Sequence, residues 1–213
     1  MDFMLGRCKL AKGDDDADIY FKNFIIYNKG NHFIKEAHQK LAWYALLKGD
    51  EAGYDLNMQQ VLIKGSGTTD QDEQALKEAE SHERPHPVLL RARLFFDGGY
   101  YDQALALLTD QFFETLTLQS QRLEFLYRKG RVLQAKKSNL EALHYFSLTI
   151  KFGEEEKYYY ACSAALESGL IHESLGSDWA AEKFYNMCLE MSPETYSSSL
   201  HQKARTGLSR IGL

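Results

Sequence analysis

The sequence predicts an all-α protein in which pairs of antiparallel helices stack into a solenoid. Two observations support this prediction. A small residue recurs at Gly6, Ala42, Ala92, Gly130 and Gly169, in steps of 36, 50, 38 and 39 residues. In the clearest copies, Ala follows about twelve positions later and a large apolar residue four positions after that. One helix pair cannot bury its apolar face alone, so repeats of this kind stack on their neighbours.

Composition restricts the class of protein. The chain has 213 residues, three prolines and a charged fraction of 26%, which is typical of a folded protein. No apolar run approaches the roughly 18 residues that a transmembrane helix needs, so no membrane span is expected. The net charge of -5 argues against a nucleic-acid partner, which selects for a basic surface.

The three cysteines, Cys8, Cys162 and Cys188, are odd in number and far apart in the sequence. They form no CxxC or Cys/His pattern, so neither a disulfide nor a zinc site is expected. Each is predicted to fill a small apolar position at a helix contact, as free cysteines often do.

The repeat spacing predicts five helix pairs, over residues 1–28, 31–63, 87–109, 118–151 and 155–191. Glycines at the turns separate the two helices of the first three pairs, at Gly13, Gly49 and Gly99. The fourth pair divides before Ser138, where Ser138 and Glu141 have the spacing of a capping box. The fifth pair divides between Leu175 and Asp178.

Two segments fall outside the five pairs. An insertion over 64–86 contains a glycine- and threonine-rich loop and a capped helix that starts at Asp70, with Glu73 three residues later. A closing helix is predicted over 193–211, with Ser192 as N-cap and Pro193 as first helical residue. Its apolar stripe is typical of a terminal cap on a solenoid.

The pattern resembles the tetratricopeptide repeat family. The residues that carry the resemblance are Gly169, Leu170, Leu175, Gly176, Ala181, Tyr185, Cys188 and Pro193, with a second fragment at Gly99, Tyr100, Tyr101, Ala104 and Leu105. The match is specific in the last two pairs and weak in the first two, where Ala42 and Tyr54 depart from it. The resemblance implies a right-handed α-solenoid of about five such pairs with a C-terminal capping helix, as one domain over 1–213. Another helical-repeat family is the alternative.

The first pair begins late, because only five residues precede Gly6. This predicts that the chain is the C-terminal piece of a longer repeat protein; a naturally short first helix is the alternative. The expected location is the cytoplasm if the chain is complete, and the periplasm or cell envelope if a longer precursor carries an export signal.

In the tetratricopeptide family the first helix of each pair lines a concave groove. The resemblance therefore implies groove residues that bind a partner, namely Arg7, Gln39, Trp43, Leu89, Arg93, Phe96, Tyr127, Arg131 and Glu173. Guanidinium groups match carboxylates in geometry and stack on aromatic rings, so this set predicts a partner with acidic groups. The alternative is that Arg93 and Arg131 pair with Glu124, Glu167 or Glu173 of neighbouring helices. The family's Asn-containing carboxylate clamp is not matched, so a receptor for chaperone tails is not expected.

No catalytic motif is recognisable in the sequence. It contains no GxSxG, no HExxH and no phosphate-binding glycine loop, so no catalytic residue, metal or cofactor is predicted. We expect a noncatalytic protein–protein interaction scaffold that binds a peptide or protein segment. The alternatives are a structural or self-assembling subunit of a cell-envelope complex and a glycan- or small-molecule-binding accessory to an enzyme. The sequence does not indicate the oligomeric state.

Overall fold

Every regular element within the described residues is an α-helix. The structure is a computed structural model that describes residues 1–212, and it contains thirteen helices and no strand within that range. The chain separates into two compact units, Met1–Tyr100 and Tyr101–Leu213. Whether they form the single domain predicted from the sequence stays a prediction.

The first unit contains six helices. They are α1 (Asp2–Lys12), α2 (Ala17–Tyr27), α3 (Ile34–Leu47), α4 (Glu51–Ile63), α5 (Asp70–Ser81) and α6 (Pro87–Asp97). Helices α1 and α2 pack as one pair and α3 and α4 as another, while α1 also contacts α3 and α6. Helix α5, which forms from the insertion, packs on both α3 and α4.

Local signals set the helix starts in this unit. The Asp50 carboxylate accepts a hydrogen bond from the Gly53 amide at 2.8 Å, and this caps α4. Helix α5 begins at Asp70 as predicted, and the Thr69 hydroxyl before it accepts a capping hydrogen bond from the Asp72 amide at 3.1 Å. Helix α6 begins at Pro87 as predicted, since proline at the first helical position loses no hydrogen bond.

One hydrophobic core fills the first unit. Ala17, Phe21 and Val61 are completely buried, and Trp43 is 2% exposed. Burial of each large side chain stabilises the fold by about 2–3 kcal/mol. Cys8 lies outside this core and is exposed, so the prediction that it fills a buried helix contact is wrong.

The second unit contains seven helices. They are α7 (Tyr101–Leu107), α8 (Asp110–Thr115), α9 (Gln119–Ala135), α10 (Asn139–Gly153), α11 (Tyr160–Ser174), α12 (Asp178–Glu190) and α13 (Ser197–Arg210). Each of α9 to α12 packs on the next helix, and α11 also contacts α9 and α13. Cys162 and Cys188 are buried here, as predicted.

A glycine against an aromatic ring recurs in three helix pairs. A Cβ atom added at Gly6 would lie 2.9 Å from the ring of Phe21, one at Gly130 would lie 2.6 Å from Phe146, and one at Gly169 would lie 2.5 Å from Tyr185. A real Cβ does not fit at such distances, so only glycine allows the two helices to approach this closely. The recurring small residue in the sequence thus marks the contact between the two helices of a pair.

Some predicted boundaries are wrong. The closing helix begins at Ser197 instead of Pro193, because the Glu194 amide donates to the Lys157 carbonyl at 3.0 Å and Tyr196 has a left-handed φ of 63°. Helix α11 begins at Tyr160 instead of Glu155. The short helix α8 was not predicted. Ser138 is the N-cap of α10, but its side chain makes no capping hydrogen bond there.

No helix within residues 1–212 combines the length and the apolar character needed to cross a membrane.

Candidate interaction site on helix α3

Helix α3 is buried around almost its whole circumference, although it carries many polar residues. Lys35, Glu36, His38 and Gln39 are all buried. Buried polar groups need partners, and neighbouring helices supply them here. The Lys35 ammonium donates to the Val61 carbonyl of α4 at 2.6 Å, for example.

Helix α5 is held against α3 by a buried carboxylate at its start. Asp72 is fully buried and accepts hydrogen bonds from the Phe33 amide at 2.6 Å and the Glu36 amide at 3.0 Å. It also accepts one from the Thr69 hydroxyl at 2.8 Å. The carboxylate therefore satisfies free amide groups at the N-terminus of α3, where the helix dipole favours negative charge.

Further along α5, the Glu78 carboxylate binds two side chains of α3. The Gln39 amide donates to one oxygen of Glu78 at 2.6 Å, and the Trp43 indole N–H donates to the other at 2.7 Å. Gln39 and Trp43 are 5% and 2% exposed. Two of the residues predicted to bind an acidic partner thus bind a carboxylate of the chain's own insertion.

Three cations lie near this part of α3, two of them against the Trp43 ring and one beside Glu36. The Lys40 ammonium lies 3.7 Å from the centre of the Trp43 ring, and the Arg93 guanidinium of α6 lies 4.9 Å from it. Both distances are typical of cation–π contacts. Arg7 of α1 is 3.8 Å from the Glu36 carboxylate, which is also 3.6 Å from Lys40. We call this group the α3 cluster, and it consists of Arg7, Glu36, Gln39, Lys40, Trp43, Glu78 and Arg93.

Lys40 is the most strongly perturbed base of the cluster. Burial lowers its pKa to about 8, and Glu36 opposes this shift while Arg93 adds to it. The ammonium also donates to the side-chain amide oxygen of Gln39 at 2.9 Å. The cluster therefore holds a cation that is close to losing its proton at mildly alkaline pH.

Glu36 retains capacity for a further hydrogen bond. Its side chain is 4% exposed, and its Oε2 atom has no hydrogen-bond partner within residues 1–212. Its other oxygen faces Arg7 and Lys40 at distances longer than a direct hydrogen bond. A buried carboxylate in this state is stabilised by charge more than by hydrogen bonds.

Helix α5 is acidic and weakly anchored by apolar contacts. It carries five carboxylates, at Asp70, Asp72, Glu73, Glu78 and Glu80, against the single cation Lys77. Its buried apolar side chains are the two alanines Ala75 and Ala79. Hydrogen bonds and charge therefore contribute more to its binding than apolar area does.

The remaining predicted groove residues of the first unit differ in their exposure to solvent. Leu89 is completely buried and supports the core, while Phe96 is half-buried. The Arg93 side chain is 39% exposed and pairs with Asp97 at 3.8 Å within its own helix. Arg7 is 46% exposed. These two guanidinium groups are the part of the predicted set that solvent reaches most easily.

In the second unit the predicted residues are engaged with one another and with their neighbours. The Arg131 guanidinium pairs with Glu167 at 2.9 Å and donates to the Tyr127 hydroxyl at 3.0 Å. Tyr127 is buried, and its hydroxyl lies 2.8 Å from that of Ser163. The alternative that Arg131 pairs with an acidic residue of a neighbouring helix is thus confirmed.

Glu173, the last predicted groove residue, belongs to a different network. It accepts hydrogen bonds from Arg210 of α13, at 2.6 and 2.8 Å, and from the Tyr185 hydroxyl. Its carboxylate ties α11 to α12 and α13. Within residues 1–212, no group of three or more His, Cys, Asp or Glu side chains is arranged to hold a metal ion.

Sequence reasoning missed four residues of this region, namely Glu36, Lys40, Asp72 and Glu78. One signal was available for α3, because its polar residues extend around the helix instead of following one face. A second signal was the acidic character of the insertion helix, which complements a basic groove. Periodicity alone places neither helix against the other.

No protein-family model and no curated protein matches this sequence.

Proposed function

We propose that this chain is a noncatalytic protein-interaction scaffold whose α3 cluster binds an acidic helical segment of a partner protein. The observation that carries the proposal is the double hydrogen bond from Gln39 and Trp43 to the Glu78 carboxylate. It supports a site that binds an acidic helix, since α5 already occupies it in this manner. The partner segment would replace α5 and place a carboxylate where Glu78 lies.

Charge favours such a partner. Arg7, Lys40 and Arg93 give the α3 cluster three cations, and two of them lie against the Trp43 ring, whose N–H binds Glu78. An acidic helix brings opposite charge to them. A partner with larger apolar side chains at the positions of Ala75 and Ala79 would bury more apolar area than α5 does. This difference allows the partner to compete with a segment that is covalently attached.

Competition by α5 is strong because it is tethered. A segment joined by short flexible loops has an effective concentration in the millimolar range. A free peptide with the α5 sequence should therefore bind weakly to the wild-type chain, and bind well only when the resident helix is weakened. This expectation supplies a direct test.

The test uses a fluorescein-labelled, end-capped peptide of residues 68–82 and the full chain carrying Glu78→Lys, which replaces the carboxylate that binds Gln39 and Trp43 by a cation. The matched control is Glu80→Lys, which makes the same charge change at an exposed residue of α5. Fluorescence anisotropy should show at least about tenfold tighter binding to the Glu78→Lys chain. Circular dichroism checks that both variants fold.

Two further peptide-binding measurements test the proposal. Neutral substitutions Arg7→Gln and Arg93→Gln in the Glu78→Lys chain should weaken peptide binding by about tenfold or more. A peptide that itself carries Glu78→Lys should not bind. Equal binding by the Glu78→Lys and Glu80→Lys chains would contradict the proposal.

We propose that the helix pairs are tetratricopeptide-like units, and that five such pairs stack with a right-handed twist. The glycine–aromatic contacts of Gly6, Gly130 and Gly169 support this assignment, as do the completely buried alanines Ala142 and Ala181. An experimental structure of the chain would test the number of pairs and their handedness.

A second candidate function, a self-assembling structural subunit, is favoured by exposed apolar side chains in the first unit. Ile26 and Tyr27 of α2 are 69% and 75% exposed, and Leu56 and Ile63 of α4 are 58% and 70% exposed. Exposed apolar side chains favour association with another protein surface. Light scattering over a concentration series, for the parent and for Ile26→Glu with Ile63→Glu, separates this role from a monomeric scaffold.

A further inference from the structure

Two cysteines that lie 26 positions apart in the sequence meet in the second unit. The Sγ atoms of Cys162 in α11 and Cys188 in α12 are 3.5 Å apart. Cys162 also lies 3.4 Å from the Cys188 carbonyl oxygen, and Cys188 lies 4.0 Å from that of Leu200. Both thiols are free. The contact crosses an antiparallel helix pair that is closely packed at Gly169 and Tyr185.

A surface cavity of about 340 Å³ reaches this thiol pair. Cys162, together with Ala161, Met191 and Pro193, is among its lining residues, whereas Cys188 is not. Both cysteines are buried, at 1% and 0% exposure. The cavity therefore approaches the thiol pair from the side of Cys162. A small molecule in the cavity meets Cys162 first.

The cavity wall is acidic. Glu154, Glu155, Glu156 and Glu194 line it, against the single cation Lys157. Such a wall repels anionic oxidants such as hypochlorite or glutathione disulfide. It places no electrostatic barrier before an uncharged molecule of the size of hydrogen peroxide.

We propose that Cys162 and Cys188 form a modification site at which a small uncharged peroxide converts the dithiol to a disulfide. The cavity admits the oxidant to Cys162, and the neighbouring thiol closes the bond. This inference is independent of the function proposed for α3, because the α3 cluster and the thiol pair lie in different units of the chain.

The chemistry balances with hydrogen peroxide as the only oxidant. The Cys162 thiolate attacks one peroxide oxygen, the O–O bond breaks, and hydroxide leaves and takes up the thiol proton as water. This gives a sulfenic acid on Cys162. The Cys188 sulfur then attacks the Cys162 sulfur, the S–O bond breaks, and the departing hydroxide takes the Cys188 proton. Two thiols and one peroxide thus give one disulfide and two water molecules.

The electrostatics of the pair fit this order of events. A hydrogen bond with Cys188 lowers the pKa of the Cys162 thiol, against the opposing effect of burial. The same hydrogen bond, and then burial, raise the pKa of the Cys188 thiol. The thiolate therefore forms first on the residue that lines the cavity. Closing the bond requires the two sulfurs to approach from 3.5 Å to about 2.05 Å.

The test starts from the Cys8→Ser chain, which removes the exposed thiol and prevents links between molecules. The folded protein is treated with hydrogen peroxide, free thiols are alkylated under denaturing conditions, and the chain is digested with trypsin without reduction. The expected product is a disulfide-linked pair of peptides, residues 158–183 and 184–203. Recovery of both cysteines as alkylated thiols, or of Cys162 over-oxidised without a link, would overturn the proposal.

Two single-thiol variants in the Cys8→Ser background test the order. With Cys188→Ser, peroxide should leave a sulfenic acid on Cys162 that reacts with dimedone. With Cys162→Ser, Cys188 should remain largely unlabelled. Equal labelling of the two variants would overturn the role of Cys162 as the first thiol to react. Should either variant fail to fold, the peptide link in the Cys8→Ser chain still decides the proposal.

A comparison of oxidants tests the cavity as the entry route. At equal concentration, hydrogen peroxide should form the link at least about tenfold faster than glutathione disulfide, which is larger and negatively charged. If both reagents act at the rate at which the chain unfolds, the thiols are reached only through unfolding, and the assignment of the cavity is wrong.

Discussion

Gly169 of α11 lies against the ring of Tyr185 in α12, so closely that a Cβ atom at Gly169 would come within 2.5 Å of the ring atom Cε1. Tyr185 is completely buried, and Gly207 of α13 approaches the same ring. The tyrosine thus lies where three helices of the second unit meet. The ring of Tyr185 fits there because neither Gly169 nor Gly207 has a side chain.

We expect Gly169→Ala to lower the free energy of unfolding by about 2 kcal/mol, because the added methyl group overlaps with a buried ring that cannot move away. Alanine alone would favour the helix by about 1 kcal/mol, so the measured loss is the difference of two opposing effects. Urea unfolding followed by circular dichroism measures it. In a Tyr185→Leu background the same substitution should cost clearly less, and an equal cost in both backgrounds would contradict the contact.

The repeat could be predicted from the sequence because its determinants are local. Gly130 and Phe146, or Gly169 and Tyr185, lie at a nearly constant spacing, and their helices have the amphipathic pattern that predicts a pair. Helix α8 could not be predicted in this way. It has only six residues, too few to show a period.

The packing of the insertion helix α5 on α3 could not be predicted from the sequence pattern. The start of α5 at Asp70 could be predicted, yet nothing local indicates that Asp72 reaches the amides of Phe33 and Glu36. Such contacts depend on where the loops before and after α5 place this helix. The same holds for the thiols of Cys162 and Cys188, since a spacing of 26 residues does not identify a contact unless the register of the two helices is known.

Lys40 should give the chain an unusual pH dependence. The folded chain releases the Lys40 proton near pH 8, whereas the unfolded chain retains it up to its ordinary pKa of 10.5. Above the folded pKa the unfolded state binds more protons, so stability rises with pH. Between about pH 7.5 and about pH 9.5, wild type should gain about 2 kcal/mol relative to Lys40→Met.

Urea unfolding at the two pH values measures this gain. The comparison with Lys40→Met cancels the titration of other groups, such as the tyrosines. A difference between the two proteins that does not change with pH would contradict the lowered pKa of Lys40.

Glu173 should also make stability rise with pH, but in the acid range. Its hydrogen bond from Arg210, assisted by that from Tyr185, lowers the pKa of the carboxyl group. The stabilisation is complete above the unfolded pKa near 4.5 and is lost as the pH falls through the folded value. Because Arg210 is 45% exposed, solvent screening limits the effect to about 1 kcal/mol.

The measurement compares Glu173→Gln with the parent at neutral pH and near pH 3. At neutral pH the variant should be the less stable of the two, and at the acid pH the difference should largely disappear. Glu190→Gln, which changes an exposed carboxylate on α12, is the matched control and should leave the stability almost unchanged.

Trp43 can report directly on the binding of α5 by the α3 cluster. The chain has two tryptophans, of which Trp179 is 76% exposed and Trp43 only 2% exposed. In a Trp179→Phe background all tryptophan emission comes from Trp43, beside the Glu78 carboxylate. We would measure its emission maximum in Glu78→Lys and in the matched Glu80→Lys chain. We expect a red shift for Glu78→Lys alone, reversed by the peptide of residues 68–82; identical emission maxima in the two variants would contradict the binding of α5 by the α3 cluster.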